Sequence, residues 1–118
     1  MPLSPQAMVN IVVQAAEDKK AEDITVLDIQ GISIIADYFI ICSARSRTQV
    51  QSVVENVQEK LEKEDVAALR REGFQEGSWV VLDYGDVIVH VFQETVRQFY
   101  KLERLWGDAQ VVRIPVNI

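Results

Sequence analysis

The sequence predicts a single α/β domain built on a mixed five-stranded sheet flanked by helices, and three observations carry that expectation. Apolar residues recur at helical spacing near the start and again after Ser46. Runs rich in β-branched residues fill the intervals, and no linker or internal repeat divides the 118 residues. The expected order is helix, strand, strand, helix, three strands, helix. A helical crossover at the Ser46 helix implies parallel strands there, and a tight turn implies an antiparallel last hairpin.

Each element has a local cause. Ser4-Pro5 offers an N-cap followed by proline at the first helical position, and Met8, Ile11, Val12 and Ala15 repeat on one face, so a first helix runs to about Lys20. Ile24–Ile29 is β-branched and ends before Gly31, which makes it the first strand. Asp37–Ser43 is the second, and its nearly continuous apolar run marks a strand covered on both faces. Ser46-Arg47-Thr48-Gln49 has capping-box spacing, after which Val50, Val53, Val54, Val57 and Leu61 form a core-facing helical stripe. Val66 to Glu72 is a third strand. The last two, ending and starting at Asp83 and Val87, are joined by Tyr84-Gly85-Asp86, where glycine permits a positive φ. Val96, Phe99, Tyr100, Leu102, Leu105 and Trp106 belong to a short helix closed by Gly107. They cover too much of its circumference for one buried face. Residues 1–109 thus make the domain, and 110–118 an extended tail in which Pro115 opposes a central strand role.

Composition excludes several functions. The net charge of −6 disfavours direct nucleic-acid binding, which needs clustered Lys and Arg. One cysteine, Cys42, makes neither an internal disulfide nor a thiolate zinc cage, so a reducing, cytoplasmic location fits. No run reaches membrane-spanning length, and the first residues lack a signal peptide's basic and apolar blocks.

The hairpin from Trp79 to Phe92 holds the candidate partner-binding residues: Trp79, Asp83, Tyr84, Asp86 and, just before it, Glu76. Between Glu72 and Asp86 lie four acids and no Lys or Arg, so this segment should steer a basic partner. Trp79 and Tyr84 are the expected aromatic anchors, although strict alternation sets them on opposite faces of the strand. Phe99, Tyr100 and Trp106 form a second candidate surface, for a homodimer or another partner. Catalytic signals are thin: His90 is the sole histidine, in a valine-rich strand, and no Gly-rich phosphate loop accompanies it. No catalytic, cofactor or metal residue is assigned. Asp83 and Asp86 as ligands of a metal-dependent nucleotidyltransferase, and a homo-oligomeric adaptor, are the alternative readings.

Three ordered segments carry a family resemblance: Ala36–Ser43, Glu72-Gly73 through Trp79–Phe92, and Tyr100–Asp108. Over roughly residues 5 to 109 the chain resembles the ribosomal silencing factor family, also called Iojap-like proteins. The resemblance implies a non-enzymatic factor that binds the large ribosomal subunit on its joining face through large-subunit ribosomal protein number fourteen. It also implies that small-subunit joining is blocked when nutrients are scarce, that homodimers form, and that the fold is nucleotidyltransferase-like. Where such enzymes place Gly-Ser before a helix, this chain has Ser43-Ala44-Arg45-Ser46, and no Asp-x-Asp or Asp-x-Glu pair follows on a strand, so a fold without the activity is expected.

Overall fold

Ser4 fixes where the chain first becomes helical. Its hydroxyl accepts the Ala7 N–H at 3.1 Å, Pro5 follows with its preset φ, and helix α1 runs over Pro5–Asp18. The computed structural model describes residues 3–31, 34–96 and 110–112. Strands β1 (Glu22–Asp28) and β2 (Tyr38–Ala44) pair antiparallel, with an irregularity between Glu22 and Thr25 where Asp23 adopts φ +50°. All seven residues of β2 are buried, as its unbroken apolar run predicts for a central strand.

Helix α2 (Arg47–Glu62) starts at Ser46, whose hydroxyl accepts the Gln49 N–H at 3.1 Å. The reciprocal half of the expected capping box is shifted by one residue: Gln49 Oε1 accepts the Arg45 N–H at 2.8 Å. The Gln49 amide then donates to the Lys19 and Lys20 carbonyls, both at 3.1 Å, so one side chain ties the start of α2 to the end of α1. Farther along, Asn56 Nδ2 donates to the Ala15 carbonyl at 2.8 Å inside the helix pair.

The expected third strand is shorter than its apolar pattern suggests. Val66 N–H reaches back to the Leu61 carbonyl at 2.9 Å and Asp65 takes φ +61°, so this stretch closes α2 before β3 (Arg70–Glu72) begins. Val66 and Ala68 pack on the core from a connection. β4 (Trp79–Asp83) and β5 (Val87–Gln93) form the expected hairpin, and residues 94–96 are helical. A sixth strand, β6 (Gln110–Val112), pairs antiparallel with β1, so part of the expected tail extends the five-stranded sheet.

The sheet order is β3-β4-β5-β2-β1-β6, with β2 and β5 parallel and the other pairs antiparallel. Both α1 and α2 pack on one face, enclosing Val12, Ile40, Val53, Leu61, Leu82 and Val89. The opposite face carries a smaller cluster built from Leu27, Phe39, Ile41, Ile88 and Phe92, with Trp79, Val81 and Val96 partly buried against it. The Cα radius of gyration is 13.0 Å, within the range that length scaling gives for one domain.

Candidate functional site

Pleating decides what the β4–β5 hairpin can present. Val80 and Leu82 point toward the helices and are fully buried, while Trp79, Val81 and Asp83 point to the other face and remain partly accessible. Trp79 lies 4.9 Å from Phe92, ring centroid to centroid, in a stacked arrangement, and donates its indole N–H to His90 Nδ1 at 3.1 Å. It is a half-buried member of an aromatic cluster.

Tyr84 departs from the expectation. It is 8% exposed and belongs to the helix-side core, because alternation turns it inward just where the strand ends. Its buried hydroxyl has no hydrogen-bond partner among the described residues, and burial, reinforced by the Glu62 carboxylate, pushes its pKa up to about 12. A residue so placed does not serve as an exposed anchor. Trp79 and Tyr84 accordingly do not share a surface.

The acidic segment is also divided. Four residue rises along β4, about 13 Å, separate the Trp79 end from the Asp83 end. Glu76 precedes the first end, Glu72 pairs opposite Val81 midway along β4, and Asp83 and Asp86 stand at the second end. The loop carrying Glu76 is clamped to α2, since Arg47 Nε donates to the Gln75 carbonyl and Gln51 Nε2 to the Phe74 carbonyl, both at 2.8 Å. Cations just outside the segment reduce the field further. Arg70 lies 3.3 Å from Asp83 and 3.7 Å from Glu72, and Arg71 stacks its guanidinium 4.0 Å above the Phe74 ring. Only Glu76 and Asp86 of the expected acids are exposed without an ion pair among the described residues.

Asp83 has a structural task. Its side chain is 19% exposed, and Oδ1 accepts the Gly85 N–H at 2.8 Å while Oδ2 meets Arg70. This Asx-turn, with Gly85 at φ +86°, sets the reversal. With both oxygens engaged, Asp83 is poorly disposed to join Asp86 around a metal ion.

Among the described residues no nucleophile and base are assembled for catalysis. Register places Ile41 opposite His90, so Cys42 projects to the helix side and His90 to the aromatic side. His90 Nδ1 accepts from Trp79, and the buried Nε2 has no hydrogen-bond partner among the described residues, so neither nitrogen activates a hydroxyl of those residues. Burial lowers the His90 pKa to about 4, keeping the ring neutral. Ser46 is used in capping α2. Phe99, Tyr100 and Trp106, the second expected surface, lie outside the described residues.

The register instead assembles residues that local sequence reading did not single out. Leu69, Ile34 and Ile35 are large hydrophobics exposed to water, and Leu69, Asp28 and Asp37 lie along the same end of the sheet. The available signal was an isoleucine pair placed between Gly31 and Asp37, outside either strand. A separate open groove of about 440 Å³ lies between α1 and α2, lined by residues including Gln14, Asp18, Lys60 and Lys63, and mixes both charges.

Comparisons with known proteins agree on one relationship. A family model described as ribosomal silencing factor during starvation matches residues 2–117. The ribosomal silencing factor of Bacillus subtilis is 43% identical over 107 residues, covering 91% of this chain and 91% of its own. A crystal structure from Bacillus halodurans has a TM-score of 0.83 at 37% identity, covering 92% of this chain and 99% of that one. Another, from Chromobacterium violaceum, has a TM-score of 0.87 at 34% identity, covering 98% and 95%.

Proposed function

The chain belongs to the ribosomal silencing factor family, and from that membership we propose that it binds the large ribosomal subunit and sterically prevents the small subunit from joining, repressing translation under nutrient limitation. The observation that carries the reading is the family match across residues 2–117, nearly the whole chain. The resemblance supplies large-subunit ribosomal protein number fourteen as the contact and a nucleotidyltransferase-like topology as the scaffold, and the single cysteine points to the cytoplasm as the place of action. Relatives are named as silencing factors, and Asp83 is engaged by Gly85 and Arg70.

Obstruction requires no bond-making. A body measuring 34 × 33 × 31 Å on a joining face keeps the opposing surface away, so bound factor raises the free energy of joining. Linkage then requires the small subunit to weaken factor binding by the same equilibrium ratio. The test is sedimentation of the purified protein with isolated large subunits, followed by addition of small subunits. Co-sedimentation and reduced coupling of the subunits are expected; a protein that stays in the supernatant, or binds while joining proceeds undiminished, overturns the proposal. A homodimer through Phe99, Tyr100 and Trp106 would compete with ribosome binding, appearing as apparent affinity that declines at high protein concentration.

A further inference from the structure

Hydrogen bonding gathers one end of the sheet into a continuous frame. Leu69 N–H donates to the Asp83 carbonyl at 2.7 Å, and the Asp86 carbonyl accepts from Asp37 at 2.8 Å and Tyr38 at 3.1 Å. The Asp37 carbonyl in turn accepts the Ile29 N–H at 2.9 Å. The lead into β3, the β4–β5 turn, the start of β2 and the end of β1 therefore lie side by side. Four strand spacings separate β3 from β1, about 19 Å.

This end concentrates the exposed apolar side chains of the described residues. Leu69 is 70% exposed, Ile35 is 62% exposed and Ile34 is fully exposed. Gly85 brings the turn against Leu69, with a Cβ position 3.6 Å from the leucine Cδ1. Along the same sheet end lie Asp37 and Asp86, joined through their backbones, and Asp28, whose Oδ1 accepts the Gln30 N–H at 3.0 Å, whereas Asp83 is paired with Arg70. Large aliphatic groups held in water on a hydrogen-bonded frame are a surface that gains by being covered. The acids select what covers it: nucleic-acid phosphates are repelled, while an apolar protein patch ringed by Lys and Arg is attracted.

We infer that this sheet end, with Ile34 and Leu69 as apolar anchors and Asp37 and Asp86 as charged rim, docks onto a basic protein surface of the large ribosomal subunit. The inference rests on the silencing function proposed above and names the surface that performs it. It moves the contact away from Glu76, at the opposite end of β4, and away from the buried Tyr84 ring. Hydrophobic burial supplies duration of binding, and the rim acids supply orientation and association rate.

Purified large subunits provide the probe. Ile34→Lys with Leu69→Lys should weaken co-sedimentation at least ten-fold while circular dichroism and the thermal midpoint stay those of the wild type. Asp37→Asn with Asp86→Asn should slow association and flatten its salt dependence. Glu76→Lys should bind as the wild type does. The single lysine variants, each on an exposed side chain, replace the double variant if it fails to fold. Wild-type binding by the folded lysine variants, an equal loss in Glu76→Lys, or equal affinity for protein-free ribosomal RNA overturns this surface and leaves the silencing function standing. A wild-type protein that does not sediment with large subunits overturns both.

Discussion

Lowering the pH should destabilise the fold through His90 in an amount the geometry sets. The indole N–H of Trp79 can only donate, so His90 Nδ1 must accept and the neutral ring carries its proton on Nε2. Charging the ring would place a second proton on Nδ1, facing the Trp79 donor, among Phe39 and Phe92 at ring-centroid distances of 5.0 and 6.2 Å. Burial accordingly holds the folded pKa at about 4, against an ordinary 6.5. Between these values the unfolded chain binds a proton that the folded chain refuses, so stability falls as pH decreases. The full shift corresponds to about 3 kcal/mol, of which roughly 2–3 kcal/mol should be lost between pH 7.5 and 4.5. Urea unfolding followed by circular dichroism at those two pH values measures it. His90→Phe keeps a ring between its aromatic neighbours but cannot titrate, so its loss over the interval should be smaller than the wild type's by that amount. Equal losses in the two proteins refute the reasoning.

Three further substitutions probe other contacts, each read by urea or thermal unfolding. Tyr84→Phe removes a buried hydroxyl that has no partner, so stability at neutral pH should change by less than about 1 kcal/mol. The same variant should resist alkaline unfolding better, because the wild-type unfolded chain ionises near 10 while the folded phenol holds its proton to about 12, and stability is lost as pH rises between them. Gly73→Ala should destabilise by about 2 kcal/mol or more, since φ is +81° and an added Cβ collides with the Trp79 carbonyl oxygen. Asn56→Ala should cost about 1–2 kcal/mol by removing the 2.8 Å tie from α2 to the Ala15 carbonyl.

The fold was legible where one physical signal dominates a segment. The valine stripe of α2 and the unbroken apolar run of β2 each state their burial directly in residue order. Alternation along β4 likewise separated Trp79 from Tyr84. The third strand was overextended because Val66 and Ala68 are apolar for packing, while the Val66 N–H is consumed in closing the preceding helix. The candidate site was less legible, since closeness in sequence does not imply closeness in space along an extended strand. Glu76 and Asp86 look clustered in the sequence and stand at opposite strand ends. Asp28, Asp37 and Leu69 look scattered and are brought to one end of the sheet by long-range register, spread over about four strand spacings.

The proposed mechanism separates two ways in which a substitution can abolish silencing. Obstruction depends on the size of the bound body and on occupancy of the large subunit, so an intact body with a weakened sheet end should still block joining once enough protein is added. A ten-fold loss of affinity from Ile34→Lys with Leu69→Lys would require about ten times more free protein for equal occupancy, an offset of about 1.4 kcal/mol. Scaffold variants such as Gly73→Ala act through the folded fraction, which raised concentration leaves unchanged but lowered temperature, over a range where stability rises, restores. Titrating inhibition of subunit joining at two temperatures thus distinguishes the contact surface from its scaffold. Inhibition by the lysine variant that saturates below the wild-type maximum, with the protein folded and the large subunits fully occupied, would mean that occupancy alone does not block joining.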